Sequence, residues 1–349
     1  MEILRVTESE VRIGMGVLGN DLLPDRPGRS LVATITQPGS APVARRLARW
    51  LRQAGTRCEV RVMADGEAAK SIEVATDLYQ WLASLRLTRD DTLLCVGGGA
   101  LTDVGGFVAS TYLRGIESVL VPTSLVGALD AAIGGKTALN LGGTQLVGKN
   151  LVGTFWAPAR VLIDLELLEA LPIELRRQGM AEAAKAALVG DSELLVLLER
   201  DGLAAKLEEV VGRAVAVKAR FVNADPRDLG IRAVLNYGHT LGHALEATAG
   251  LEHGTAVALG MVGAGAIAGQ KLGFREEARQ RALLAGLGLP VRLDDIDLSL
   301  VLERLQLDKK RAAEGIRMVL LRQIAEPVIE LVSEPELLVG LAAVGVKPD

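Results

Sequence analysis

At 349 residues the chain exceeds what one hydrophobic core usually organises, so two domains are the starting expectation. Its 49% hydrophobic content includes only 3 Trp, 3 Tyr and 4 Phe, so the core must be built from Ala, Val, Leu and Ile. A formal charge of −4 excludes a general basic surface for nucleic acid, while leaving room for a local cationic pocket that takes an anionic small molecule.

The N-terminal stretch MEILRVTESEVRIG lacks the basic start and apolar core of a secretory leader, so none is expected. Ser30–Ile35 reads as a strand, Val43–Ala54 as a helix and Cys58–Met63 as a second strand. Ala68–Ser84 carries apolar residues at helical spacing. Thr92–Val96 is a short apolar run that stops at Gly97-Gly98-Gly99; Leu101–Thr111 then reads as a helix and Ser118–Val121 as a strand. Strands separated by helices imply βαβ units and a parallel sheet. From about Leu165 the alternation stops. Pro172–Val189, Glu193–Ala204, Leu207–Asn223, Thr240–Ala249 and Ala256–Leu272 all carry helical periodicity, with a small β element near Arg317–Leu321. The expected fold is an α/β, Rossmann-like N-terminal domain with a parallel sheet, residues 1–162, followed by a mostly α-helical C-terminal domain, residues 163–349.

The longest uncharged run, Ala256–Gly269, is 14 residues long and rich in glycine. It is short for a membrane span and reads as a buried core helix of a soluble protein. Cys58 and Cys95 both lie in apolar, strand-like runs, which fits a reduced, cytoplasmic protein rather than a disulfide scaffold.

All 3 histidines, His239, His243 and His253, fall within fifteen residues in NYGHTLGHALEATAGLEHG. Such clustering marks this stretch as the place to look for a metal or an acid–base centre. His239 and His243 are four apart and share a helix face, about 6 Å apart at Cβ; His253 lies beyond a helix break at Gly250. Glu182 and Lys185 sit one helical turn apart in GMAEAAKAAL, either as a solvated pair or, given their small apolar neighbours, pointing into a cleft. A carboxylate with two of the three histidines would make a three-ligand site with open positions, suited to catalytic zinc.

Gly97-Gly98-Gly99 follows a strand and opens a helix with Asp103 in its early turns. It reads as a cradle for phosphate or pyrophosphate, or else as a tight strand-to-helix turn. Glycines and cations recur through DAAIGGKTALNLGGTQLVGKN, residues 130–150, where backbone, Lys136, Lys149 and Asn150 offer donors to anionic or hydroxylated groups. Its Gly-Gly-Lys-Thr lacks the earlier glycine of a P-loop, which disfavours ATP. No nucleophile elbow, CxxC pair, kinase signature or Ser-His-Asp order is present, so covalent serine or cysteine catalysis is not expected.

From about Gly66 to Leu321 the chain resembles the 3-dehydroquinate synthase family of the sugar phosphate cyclases. The resemblance is carried in order by GEAAKS, GGGALTDVGGFVASTYLRG, VPTSL, DAAIGGKTALN, GKNLVGTFWAP, GMAEAAK, RAVLNYGHTLGHALE, EHGTAVALGM and DKKRAAEGI. It implies a dehydroquinate synthase-like fold and a cytoplasmic, homodimeric phosphorus–oxygen lyase of the shikimate route. Such an enzyme uses NAD and one divalent metal, zinc or cobalt, and has no nucleic-acid or membrane partner. The implied reaction turns 3-deoxy-D-arabino-heptulosonate 7-phosphate into 3-dehydroquinate and phosphate by transient oxidation, phosphate elimination, re-reduction and aldol closure.

The family's metal ligands map onto Glu182, His239 and His253, while His243 falls at the substrate phosphate with a role in proton handling. Lys136, Asn150 and Lys310 become further phosphate contacts, and Arg114 reaches in from a partner subunit. Lys218 and Arg232 resemble the carboxylate clamp. Asp130, Lys185 and Asn236 resemble the groups that hold substrate hydroxyls near the metal. Glu67, Lys70, Gly97, Gly98, Gly99, Asp103, Thr123, Ser124 and Lys149 resemble the NAD site.

The chain departs from the family in four places. Thr36-Gln37-Pro38-Gly39 replaces an Asp-x-Asn signature of the NAD contact, Ala131-Ala132 stand where serines are usual, the loop at residues 141–147 is about four residues longer, and Ala170 replaces a common threonine. Sister cyclases acting on sedoheptulose 7-phosphate or glucose 6-phosphate have no substrate carboxylate to hold. A metal-dependent polyol dehydrogenase would release NADH, and an inactive regulatory subunit would be expected to lose metal ligands. Retention of Gly134–Thr137, Lys218 and Arg232 favours the heptulosonate substrate.

Overall fold

In the computed structural model, unbroken apolar runs become the inner strands of a sheet, while runs that alternate with charge lie at its edge. The structure describes residues 1–19, 22–141, 149–293, 296–309 and 315–346, with the backbone alone at 306–309. The chain divides into two compact units, Met1–Leu171 and Pro172–Asp349.

The first unit contains strands β1 (Glu2–Val6), β2 (Ser9–Gly14), β3 (Leu31–Thr36), β4 (Arg57–Val62), β5 (Thr92–Gly97), β6 (Glu117–Pro122), β7 (Lys136–Leu139), β8 (Val152–Phe155) and β9 (Arg160–Asp164). Its helices are α1 (Ala41–Gln53), α2 (Ile72–Ser84), α3 (Gly99–Thr111) and α4 (Leu165–Glu169). Seven strands form one sheet in the order β1-β2-β9-β6-β5-β3-β4, parallel throughout except for the β1/β2 hairpin at one edge. Every residue of β3 and β5 is buried, as expected for strands covered on both faces, whereas edge strand β4 buries fully only Cys58. Val32, Leu94, Val96, Val119, Val121 and Leu162 from the sheet pack with Leu47 and Leu51 of α1 to make the core.

The chain runs from β3 outward to β4 and then returns past β3 to β5. The carboxyl ends of β3 and β5 therefore form the topological switch point, where open α/β sheets bind their ligands. Gly97–Gly99 and Gln37 lie there. Gln37 spends its amide on the carbonyls of Ala64 and Gly66, at 3.1 and 3.3 Å, and so turns inward at the position where the family's acidic signature is replaced.

The second unit is built of α5 (Ile173–Gly190), α6 (Ser192–Asp201), α7 (Leu207–Ala224), α8 (His239–Ala249), α9 (His253–Leu272), α10 (Glu277–Gly286), α11 (Leu298–Lys309) and α12 (Glu334–Ala343), with a hairpin of β10 (Ile316–Gln323) and β11 (Glu326–Val332). Helix α9 is its centre, packing against α5, α8, α10, α12 and β10. Among the described residues it alone is long and apolar enough to cross a membrane by length and composition, yet most of it is buried inside the unit. Its glycines explain the close packing. A Cβ at Gly260 would lie 1.8 Å from the Gly238 carbonyl oxygen, and one at Gly254 would lie 2.1 Å from that of Gln178.

The structure adds elements that periodicity left out: the β1/β2 hairpin, β7, β8, β9, β11, α4, α10, α11 and α12. Helix α9 also starts three residues before the expected Ala256, which puts His253 at its first position. Strand β9 is only five residues long and fully buried, so it shows no alternation to read.

Candidate metal centre and cofactor groups

Three helices of the second unit bring the titratable cluster together. Residues Gly179–Val189 of α5 are all buried, so Glu182 and Lys185 point into the unit rather than to solvent, and they form an ion pair with each other. Helix α8 can begin beside α9 only because Gly238, at φ +80°, has no side chain; a Cβ there would lie 2.6 Å from Met261 Cγ and 2.8 Å from the Val257 carbonyl oxygen. That approach buries His239 and sets its ring 5.2 Å from His243 and 5.5 Å from His253, centroid to centroid.

Glu182 Oε1 lies 2.9 Å from His253 Nε2 and 3.6 Å from His239 Nε2. One ligand atom from each of Glu182, His239 and His253 falls within 4.8 Å of the others. Burial, and then the Lys185 charge, push His239 down to about 3, so its imidazole is neutral at pH 7. A carboxylate oxygen and two imidazole nitrogens match the three-donor set of catalytic zinc with an open position, and cobalt accepts the same donors. The residues therefore fit a divalent metal.

His243, Glu246 and His253 form a second group within the same 4.8 Å. Glu246 Oε2 lies 4.0 Å from His253 Nδ1, on the side of the ring away from Glu182, where outer carboxylates of metal-bound histidines stand. His243 is exposed. Gln178 braces the start of α9, receiving the Thr255 amide at 2.9 Å and donating to its hydroxyl at 3.1 Å. Lys218, on α7, and Arg232, in the turn that packs against α7, are both buried; Arg232 donates to the Pro226 carbonyl at 2.8 Å, and Asn236 is exposed. Lys310 lies outside the described residues, as do residues 142–147 of the long loop.

In the first unit, Lys70 is buried and donates to Asp103 Oδ2 at 2.6 Å and to Asn150 Oδ1 at 2.5 Å. Burial pushes Asp103 up to about 6, against the pull of the Lys70 charge. Glu67 accepts from Asn140 Nδ2 at 2.9 Å and stands 3.9 Å from Lys149 Nζ, while Asn140 Oδ1 receives the Asn150 amide at 2.9 Å. Asn150 sits at φ +58°, a conformation asparagine tolerates better than most residues. The Thr123 amide donates to the Gly97 carbonyl and the Ser124 hydroxyl receives the Gly127 amide, so both flank the Gly97–Gly99 turn. Asp130 is half-buried and Lys136 exposed. Arg114 is exposed in a turn where Leu113 (φ +51°), Arg114 (φ +66°) and Gly115 (φ +123°) are all left-handed.

Sequence reasoning did not single out Asn140, Glu246, Gln178, Tyr237 or Gln280. Asn140 closes the motif DAAIGGKTALN and Glu246 closes GHALE, so position in a matched motif was their one signal. Gln178 and Gln280 carried none.

One chain thus carries a parallel sheet with a glycine turn at its switch point and, in its second unit, a Glu–His–His donor set; both features fit a dehydroquinate synthase-like, NAD- and metal-dependent enzyme. Residues 60–178 match the family described as 3-dehydroquinate synthase N-terminal, and residues 179–311 match 3-dehydroquinate synthase C-terminal. The chain is 41% identical to the 3-dehydroquinate synthase of Thermobifida fusca (strain YX), over 98% of this chain and 95% of that one. It is 42% identical to that of Mycolicibacterium gilvum (strain PYR-GCK), over 91% and 90%. Among solved structures, 2-epi-5-epi-valiolone synthase from Streptomyces hygroscopicus subsp. jinggangensis 5008, with NAD+ and Zn2+ bound, superposes with a TM-score of 0.87 at 27% identity, over 99% of this chain and 98% of that one. The chain belongs to the 3-dehydroquinate synthase family, whose members are lyases that use NAD and a divalent metal.

Proposed function

We propose that the chain converts 3-deoxy-D-arabino-heptulosonate 7-phosphate into 3-dehydroquinate and phosphate in the cytoplasm, as a homodimer without nucleic-acid or membrane partners. The observation that carries this reading is the Glu182, His239 and His253 donor set in a chain that matches both halves of the family. NAD binding is assigned to the first unit, and metal and substrate-carboxylate binding to the second.

Glu182, His239 and His253 would hold the metal, whose charge stabilises negative charge developing on a substrate oxygen. NAD supplies a hydride acceptor that is restored within each turnover. The chain's own groups bind, orient and move protons. The Lys185 ammonium balances the Glu182 charge and, with Asp130 and Asn236, directs substrate hydroxyls. Lys218 and Arg232 hold the substrate carboxylate by paired charge-assisted hydrogen bonds. Lys136, Asn150, Lys310 and Arg114 of a partner copy are assigned to phosphate. Exposed His243 is assigned to proton transfer at an imidazole nitrogen, the general acid–base role. Glu67, Lys70, Gly97, Gly98, Gly99, Asp103, Thr123, Ser124 and Lys149 are assigned to NAD.

The buried Lys218 and Arg232 favour a carboxylate-bearing substrate over those of the sister cyclases. Turnover of heptulosonate 7-phosphate, sedoheptulose 7-phosphate and glucose 6-phosphate should therefore be compared directly. Cyclisation of the first alone is expected, and a preference for either of the others contradicts the assignment.

A further inference from the structure

His239 is held from behind by groups that no proposed reaction step touches. A carbonyl oxygen can only accept, so the 3.3 Å contact between His239 Nδ1 and the Tyr237 carbonyl places the ring proton on Nδ1. The Nε2 lone pair is then left on the side facing Glu182 Oε1 at 3.6 Å. The position of that carbonyl depends on how residue 237 is fixed. The Tyr237 side chain is fully buried, and its hydroxyl donates to Gln280 Oε1 at 2.6 Å. Gln280, itself buried on α10, donates from Nε2 to the Met261 carbonyl at 2.5 Å. Met261 belongs to α9, the helix that starts with His253.

The bridge thus ties the residue that orients one imidazole to the helix that carries another. Space has been left for it: a Cβ at Gly265 would lie 2.8 Å from Gln280 Nε2. Burying a phenol and an amide costs desolvation that a pair of apolar side chains would avoid, so packing alone does not account for them. What a paired polar bridge adds is direction. We propose that Tyr237 and Gln280 are positioning residues for the metal ligand His239, setting its tautomer and ring angle through the Tyr237 carbonyl. The inference rests on the metal-site reading above.

Metal-free protein titrated with Zn2+ against a chromophoric chelator yields a Kd without reference to turnover. Tyr237→Phe, which removes one hydroxyl, is expected to weaken zinc binding about tenfold, the lower end for loss of an outer-shell partner. Gln280→Met, close in volume, is expected to do the same, and the double variant no more than either single, because both cut one bridge. Circular dichroism and melting of the metal-free proteins report folding separately; if Gln280→Met does not fold, Tyr237→Phe decides alone. A lowered Tm with a zinc Kd within about twofold of wild type overturns the proposal, since a merely structural bridge behaves that way. A wild-type protein that binds no zinc overturns the metal site itself.

Discussion

His239, His243 and His253 share a short stretch of chain but occupy different surroundings, and those surroundings assign them different work. His239 is buried and faces Glu182 through Nε2, His253 faces the same carboxylate at 2.9 Å, and His243 is exposed. His239→Ala and His253→Ala are expected to lower bound metal at least tenfold, whereas His243→Ala should keep its metal and turn over slowly, by a factor of about 10²–10⁴. Metal analysis of the three purified variants checks this, and equal loss in all three contradicts it. A second prediction concerns Lys70, whose charge sits against Asp103 at 2.6 Å. Asp103 has its pKa raised to about 6, so its ionised form is disfavoured by folding and that penalty develops as pH rises through about 6. Lys70→Met removes the compensating cation and raises the pKa further. Since the Asp103 side chain remains 17% exposed, the cost at pH 8 should be about 2 kcal/mol, below that of a fully buried pair. Below pH 5 Asp103 accepts a proton, and the cost should shrink. Urea unfolding of wild type and variant at the two pH values measures this; a cost independent of pH would show that Asp103 is not the titrating group.

Helix contacts made by glycine determine whether these side chains meet at all. Helices α8 and α9 touch backbone to backbone at Gly238 and Gly260, and α9 meets α5 at Gly254. Gly260→Ala would drive a methyl to within 1.8 Å of the Gly238 carbonyl oxygen, which can be relieved only by separating α8 from α9. We expect a loss of about 3 kcal/mol in stability, together with reduced metal content, because His239 and His253 open those two helices. Unchanged metal content in a folded Gly260→Ala protein would contradict this role for the α8–α9 contact. Here the sequence was partly informative. Spacing paired His239 with His243 on one face, and the structure does set their rings 5.2 Å apart. Spacing could not join Glu182 to His253, 71 residues away, because only packing of α5 on α9 makes that contact; the family motifs named the pair. Gln280 is 43 residues from Tyr237 on a helix that periodicity did not reveal, so nothing local pointed to it.

At the scale of the whole molecule, the βαβ alternation was legible because the central strands are unbroken apolar runs ended by glycine or polar turns, and the helical second half because its periodicity is sustained. The shorter elements were not. Strands β7 and β8 are four residues each, and the buried faces of α10 and α12 are interrupted by Gln280 and Gly340, which breaks the apolar stripe that periodicity reads. The central claim is catalytic: NAD is consumed and restored within one turnover while phosphate leaves. The most direct test incubates the zinc-loaded protein with 3-deoxy-D-arabino-heptulosonate 7-phosphate and NAD, following phosphate colorimetrically and NADH by absorbance in the same sample. Phosphate release over many turnovers with no accumulation of NADH is predicted; NADH rising in step with substrate loss would make the chain a dehydrogenase and contradict the account.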